Sequence, residues 1–282
     1  MAALCGLSFA AIAGEASGQF TAGTRAPIRP RYAAAFETRD QRDARKTAIE
    51  VVLSEEPIEI AKAAAELDPH TNVTNQPALR DHNYVLLWVR PGNDVSMNAT
   101  YADTMTQFIE MTGADMKAEM TANTPQRVAG HLVSVRPLKT MNGEPYAIDL
   151  TFSTEVTRGP TGSKLPADGG EPGKAYKALR EAIAKKSWQG ISDNVSARNL
   201  KSFTDPDKTA AENLDGALES LGFWLPKKVG TITGGELRGE SAVLEVEGEM
   251  FGDMDALFLI RMIKAGPRWV FDRATNAGMI DK

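Results

Sequence analysis

Between Arg158 and Gly173 the chain reads RGPTGSKLPADGGEPG, sixteen residues of which five are Gly and three are Pro, with no hydrophobic periodicity. A segment of that composition buries too little apolar surface to offset its chain entropy, so it predicts a linker over 158–173. What flanks it must then build two separate cores. The length permits this: 282 residues make two domains of ordinary size, at about 100–200 residues each.

Upstream, residues 47–157 read as strand-rich. Thr47–Leu53 (TAIEVVL) and Tyr84–Val89 (YVLLWV) are apolar runs of strand length, and Val95–Tyr101 alternates apolar and polar positions. Pro57–Leu67 has helical composition with Pro at the first position. Met105, Phe108, Ile109 and Thr112 share one helical face before Gly113, which predicts a short helix there. The strongest local signal is Asn142-Gly143 between two apolar segments, 131–141 and 145–156, the dipeptide of a type I′ hairpin. Tyr146, Ile148, Leu150, Phe152 and Val156 fall on one face of the second segment, as a half-buried antiparallel sheet requires.

Downstream the order inverts. Lys174–Trp188 is an amphipathic helix with Tyr176, Leu179 and Ile183 on its apolar side. Helical segments follow over 189–203 and after Asp205-Pro206, the latter stopped by Pro226. Strands are then expected near 228–237, 241–251, 256–264 and 268–273. The fold class is therefore α+β: a strand-rich antiparallel N-terminal domain, then a C-terminal domain, 174–282, of helices covering a curled antiparallel sheet.

In this order of helices and meander, with a closing pair of strands ending in Trp269 and Phe271, residues 174–276 resemble the nuclear-transport-factor-2-like superfamily, in particular its small periplasmic members. The resemblance implies a cone-shaped sheet around a pocket. That fold serves enzymes and pure binding modules alike, so it leaves activity open. Enzymes of the superfamily generally work the pocket with Asp, His or Tyr. All three histidines of this chain (His70, His82, His131) precede residue 158, which removes His-based acid–base chemistry from the C-terminal domain.

The N-terminal 46 residues divide in two. Met1–Ala13 is small and apolar and ends in Ala11-Ile12-Ala13, an arrangement leader peptidases accept, although no charged n-region precedes it. A signal peptide over 1–19 is expected, and with it a periplasmic or secreted location. The one cysteine, Cys5, would leave with the leader, and a thiol-free product suits an oxidising compartment. Residues 20–46 read as a basic linker: Thr21–Lys46 carries seven basic and three acidic residues, net +4, against −8 for the body from Thr47 onward. The stretch YAAAFETRDQRDARK within it could form an exposed helix through i,i+4 pairs. The overall charge of −5 disfavours nucleic acid as a partner. No apolar run reaches the ~18–20 residues of a transmembrane helix.

Few motifs carry chemistry. Glu245, Glu247 and Glu249 lie at i, i+2 and i+4 of a strand and so share a face, either as a cation or general-base cluster or as a solvent face paired with Arg238, Arg261 or Lys264. The histidine spacing matches no compact ligand pattern. Ser192-Asp193-Asn194 lacks the nucleophile motif that would give it meaning. No cofactor and no metal are expected. The apolar richness of the C-terminal domain instead suggests binding, with Trp224, Phe251, Phe258 and Trp269, flanked by Asp193 and Glu247, as the candidate ligand-binding residues. The chain thus reads as an exported accessory protein that binds an envelope protein or an apolar small ligand without catalysis. Two alternatives stand beside it: a pocket hydrolase or isomerase using carboxylates such as Asp193, Glu247 or Asp272, and a structural component of an envelope assembly.

Overall fold

The computed structural model describes residues 14–140, 143–250 and 254–281. The chain forms two compact units; among these residues, one holds 14–38 and 47–159, the other 39–46 and 160–281. The protein is α+β, and each unit has its own core.

The first unit is built on β1 (Gly14–Ala22), β2 (Tyr32–Arg39), β3 (Thr47–Ser54), three short helices α1 (Ile60–Ala64), α2 (Pro69–Thr74) and α3 (Pro77–Arg80), then β4 (Tyr84–Val89), β5 (Val95–Tyr101), β6 (Thr106–Met111), β7 (Met116–Asn123), β8 (Arg127–Ser134), β9 (Leu138–Lys139) and β10 (Pro145–Thr157). The strand order is β6-β5-β4-β3-β2-β1-β10-β8-β7, with β9 on β10. The sheet curls over its inner face, so residues from both ends of the order, Phe108 of β6 and Met116 of β7, enter one apolar core. Phe20 sits in its middle, with ring centroids 5.3 Å from Phe108 and 6.1 Å from Tyr146. On the other face α1–α3 cover a smaller core around Phe36, Val52, Leu79 and Trp88.

Several expectations change here. The segment 20–46 is not a linker: β1 and β2 are strands of the sheet, and Ala33–Phe36 are buried. Small alanines let β2 pack on both faces, which overrides the weak helical pairing of its charges. Two of its basic residues are held by carboxylates distant in sequence, Arg25 by Glu144 and Arg39 by Glu245. Residues 1–13 of the expected leader lie outside the described residues, and a cut at 19 would remove the first part of β1. The predicted helix near Met105–Thr112 is β6, paired along its length with β5. Only Phe108 of that set points inward, while Ile109 and Met111 are exposed, so one inward residue satisfied both periods. The hairpin is shorter than expected and its turn lies elsewhere: Gly143 N–H donates to the Thr140 carbonyl at 2.9 Å, which makes Gly143 the fourth residue of the turn and not a central one. Among the described residues only Leu138–Lys139 pair across it, and most of β10 pairs with β8. Asn142 lies outside the described residues.

The second unit comprises β11 (Ser163–Lys164), α4 (Gly170–Ala184), α5 (Trp188–Asn194), α6 (Ala197–Phe203), α7 (Ala210–Trp224), β12 (Thr231–Arg238), β13 (Ser241–Glu249), β14 (Asp255–Ala265) and β15 (Arg268–Met279). Its sheet is a meander in the order β11-β12-β13-β14-β15. Ser187, Ser196 and Thr209 cap α5, α6 and α7; Thr209 and Glu212 form a reciprocal capping box. Bulges in the β14–β15 ladder bend the sheet around a core of Tyr176, Leu179, Leu244, Phe258, Met262 and Phe271.

The Gly/Pro stretch 158–173 is ordered as part of these elements. Ser163–Lys164 pair with β12, and 170–173 are the first turn of α4. Its glycines are there for close approach: a Cβ on Gly173 would lie 2.0 Å from the Asp168 carbonyl oxygen.

Candidate functional site

In β13 the alternation of faces puts Ala242, Leu244 and Val246 into the core and Glu245, Glu247 and Glu249 on the opposite face. The end of β13 on that face borders an open cavity of about 400 Å3. It is lined by Glu247, Glu249 and Asp255, by Asp281 near the C-terminus, and by Arg45 and Lys228. Gly248 allows the wall to close up, since a Cβ there would stand 2.6 Å from that of Pro226. The segment 39–46 supplies Arg45 and is tied to the end of β15, with Ala44 N–H donating to the Met279 carbonyl at 2.8 Å.

The charges of the cavity are unevenly matched. Lys228 Nζ is 2.9 Å from Glu249 Oε1. The Arg45 guanidinium meets Asp43 at 3.2 Å and the Asp281 carbonyl oxygen. Glu247 has no hydrogen-bond or ion-pair partner among the described residues, and it is half-buried. With four carboxylates against two cations, the cavity favours a positively charged group. An open site of mixed sign can hold an amine or guanidinium by charge-assisted hydrogen bonds.

The other expected ligand residues are not gathered here. Phe258 is 4% exposed and belongs to the core, because β14 turns Ala256, Phe258, Ile260 and Met262 to the helices. Trp224, at the end of α7, packs its ring 6.4 Å from that of Phe203. Trp269 lies on β15 under Lys264, whose Nζ is 5.8 Å from the ring. Asp193 is on α5, accepting from Gln189 at 3.0 Å, with Arg268 4.0 Å away. Phe251 lies outside the described residues. Of the six, Glu247 alone lines the cavity. The cross-strand pairings expected for the Glu ladder also differ: Arg238 joins Glu236 and Arg261 joins Asp272, while Glu245 takes Arg39 and Glu249 takes Lys228.

The histidines do not converge. His131 Nε2 is 2.8 Å from Asp149 across the β8–β10 ladder, and His70 faces Glu50. Among the described residues no cluster of three or more His, Cys, Asp or Glu could hold a metal, and no helix is long and apolar enough to cross a membrane. Sequence reasoning passed over Glu50. Its signal was present, a lone carboxylate inside the apolar run TAIEVVL.

No family model matches the chain, and no curated protein is significantly similar to it. Among solved structures it is similar to an Ntf2-like protein involved in plasmid conjugation, at 9% identity and a TM-score of 0.22, over 90% of this chain and 79% of that one.

Proposed function

We propose that the chain is an exported accessory protein that binds without catalysis, and that its second unit takes a cationic group, the amine or guanidinium of a partner protein's segment, in the cavity at the end of β13. The observation that carries this reading is Glu247, a half-buried carboxylate with no partner among the described residues, on the wall of a cavity of about 400 Å3. The enzyme alternative draws less support. Asp272 is held by Arg261 through two contacts of 2.6 and 2.8 Å, and Asp193 is at the surface; neither is poised to take a proton from a substrate. Among the described residues, the apolar candidates Trp224, Phe258 and Trp269 are spent on packing.

Calorimetric titration of the full chain with a lysine-rich peptide and with its acetylated form tests this. The unmodified peptide is expected to bind with salt-dependent affinity, and Glu247→Gln to weaken it about tenfold. Equal binding of the acetylated peptide, or an unaffected variant, would overturn the reading.

One observation favours a second reading, assembly through the first unit. β6 ends the strand order and exposes Ile109 (68%) and Met111 (54%), the profile of an edge open to strand addition. A concentration-dependent increase in mass by light scattering, abolished in Ile109→Lys, supports it.

A further inference from the structure

Glu50 is fully buried on β3, on the sheet face that α1–α3 cover. Its Oε1 is 2.7 Å from His70 Nδ1. Its Oε2 and the buried indole nitrogen of Trp88, the residue directly opposite on β4, make no hydrogen bond of regular geometry, although the indole N–H still acts weakly on the carboxylate. His70 is the second residue of α2, a helix of six residues whose N-terminus Asp68 caps by accepting from Thr71 N–H at 3.0 Å. The imidazole lies 6.2 Å from the Trp88 ring at 35° and is 37% exposed, so it connects a dry carboxylate to solvent. His70 meets the sheet through Glu50 and the Trp88 ring, beside the buried Val73 of the same helix.

The charged groups around the pair are few. From α2 come His70 and Asp68, whose charge acts on both members. β4 presents Trp88, and Arg90 just after that strand donates to Ser96 Oγ at 3.0 Å. On α1, Lys62 is at the surface, and β2 contributes Ala34 and Phe36. Burial raises the Glu50 pKa more than its bond to His70 lowers it. For His70, burial works against the charged form, but the hydrogen bond to Glu50 and the charges of Glu50 and Asp68 outweigh it, so its pKa is raised too. Both shifts have the same sign. The folded state therefore holds protons that the unfolded state releases, and stability falls as pH rises from the ordinary carboxylate range through and beyond the ordinary imidazole range.

We propose that Glu50 and His70 form an acid-closed latch: while the pair keeps its proton, α2 is clamped to the sheet, and when the proton leaves, the buried carboxylate draws in water and α2 lifts from Trp88. Hydrogen exchange of the α2 amides in the full chain, corrected for intrinsic rates, tests it at about pH 5.5 and about pH 8. Protection is expected to be about tenfold greater at the lower pH, and Glu50→Gln and His70→Gln should each remove the difference. Equal protection at both pH values, or an unchanged difference in both variants, would overturn the latch. Should either variant fail to fold, nuclear magnetic resonance of the wild type decides. A His70 midpoint above the ordinary imidazole value that coincides with shifts of the α2 amides supports the latch; an ordinary midpoint, or amides that do not follow it, overturns it.

Discussion

The two units each bury an ionisable side chain, and they treat it in opposite ways. In the first, Glu50 is dry but faces His70 at 2.7 Å. In the second, Arg180 of α4 is 7% exposed and has no carboxylate partner among the described residues; it donates to the Lys227 carbonyl at 3.3 Å and leaves Nε unsatisfied. Its neighbour one turn back, Tyr176, is fully buried with an unpartnered hydroxyl that burial pushes up to about 12. Burial also pulls the Arg180 pKa down, but a guanidinium does not give up its proton in any ordinary range. The teaching of the contrast is chemical. A buried charge paired with imidazole can be switched near neutrality, whereas a buried charge on arginine is a fixed destabilisation that only packing and a carbonyl offset.

The most damaging test of this contrast is His70→Ala. At about pH 5.5 it removes the clamp of α2 on the sheet and is expected to cost about 2–3 kcal/mol in denaturant unfolding, less than for a fully enclosed pair because the half-exposed ring position admits water. Both members hold their protons more tightly in the folded state, so the loss should shrink toward about pH 8, where the latch is already open; a loss independent of pH would break the comparison. Arg180→Met should go the other way, raising stability by about 1 kcal/mol with no dependence on pH. A large destabilisation there would mean that the guanidinium is a strut and not a burden. Removing the Thr209 cap (Thr209→Ala) should lower stability by about 1 kcal/mol at any pH, a yardstick for an effect with no buried charge. The smallest effect belongs to Glu247→Gln, expected within about 0.5 kcal/mol of wild type, so that a loss of peptide binding in that variant reads on the cavity and not on the fold.

Much of the scaffold was legible because its periods are long. β10 shows five inward positions in strict alternation, α4 and α7 each carry apolar residues over fifteen-residue helices, and the closing meander is punctuated by Gly-containing turns. Short elements misled. β6 has six residues, too few to separate a period of two from 3.6 when a single Phe points inward. β2 hides its burial in small alanines beside charges that read as surface. The glycines of 158–173 suggested looseness, yet they serve tight packing; composition reports freedom in the unfolded chain and not contact in the folded one. At the site, Glu247 emerged from simple i, i+2 alternation. The pairing of Glu50 with His70 joins residues twenty apart through a helix laid on a sheet, and that geometry exists only after the first unit has folded.

The segment 39–46 leaves synthesis early, but its bonds are made at the far end of the chain: Arg45 reaches the Asp281 carbonyl across 236 residues, and Ala44 that of Met279. Until β15 has been translated, the Ala44 N–H has no backbone partner to meet, and 39–46 keeps its internal backbone bonds, Asp40 N–H to the Lys46 carbonyl and Lys46 N–H to that of Asp43. The second unit therefore closes only after translation of β15, and a ribosome stalled before that strand should display 39–46 as a protease-sensitive loop between two strands of the first unit.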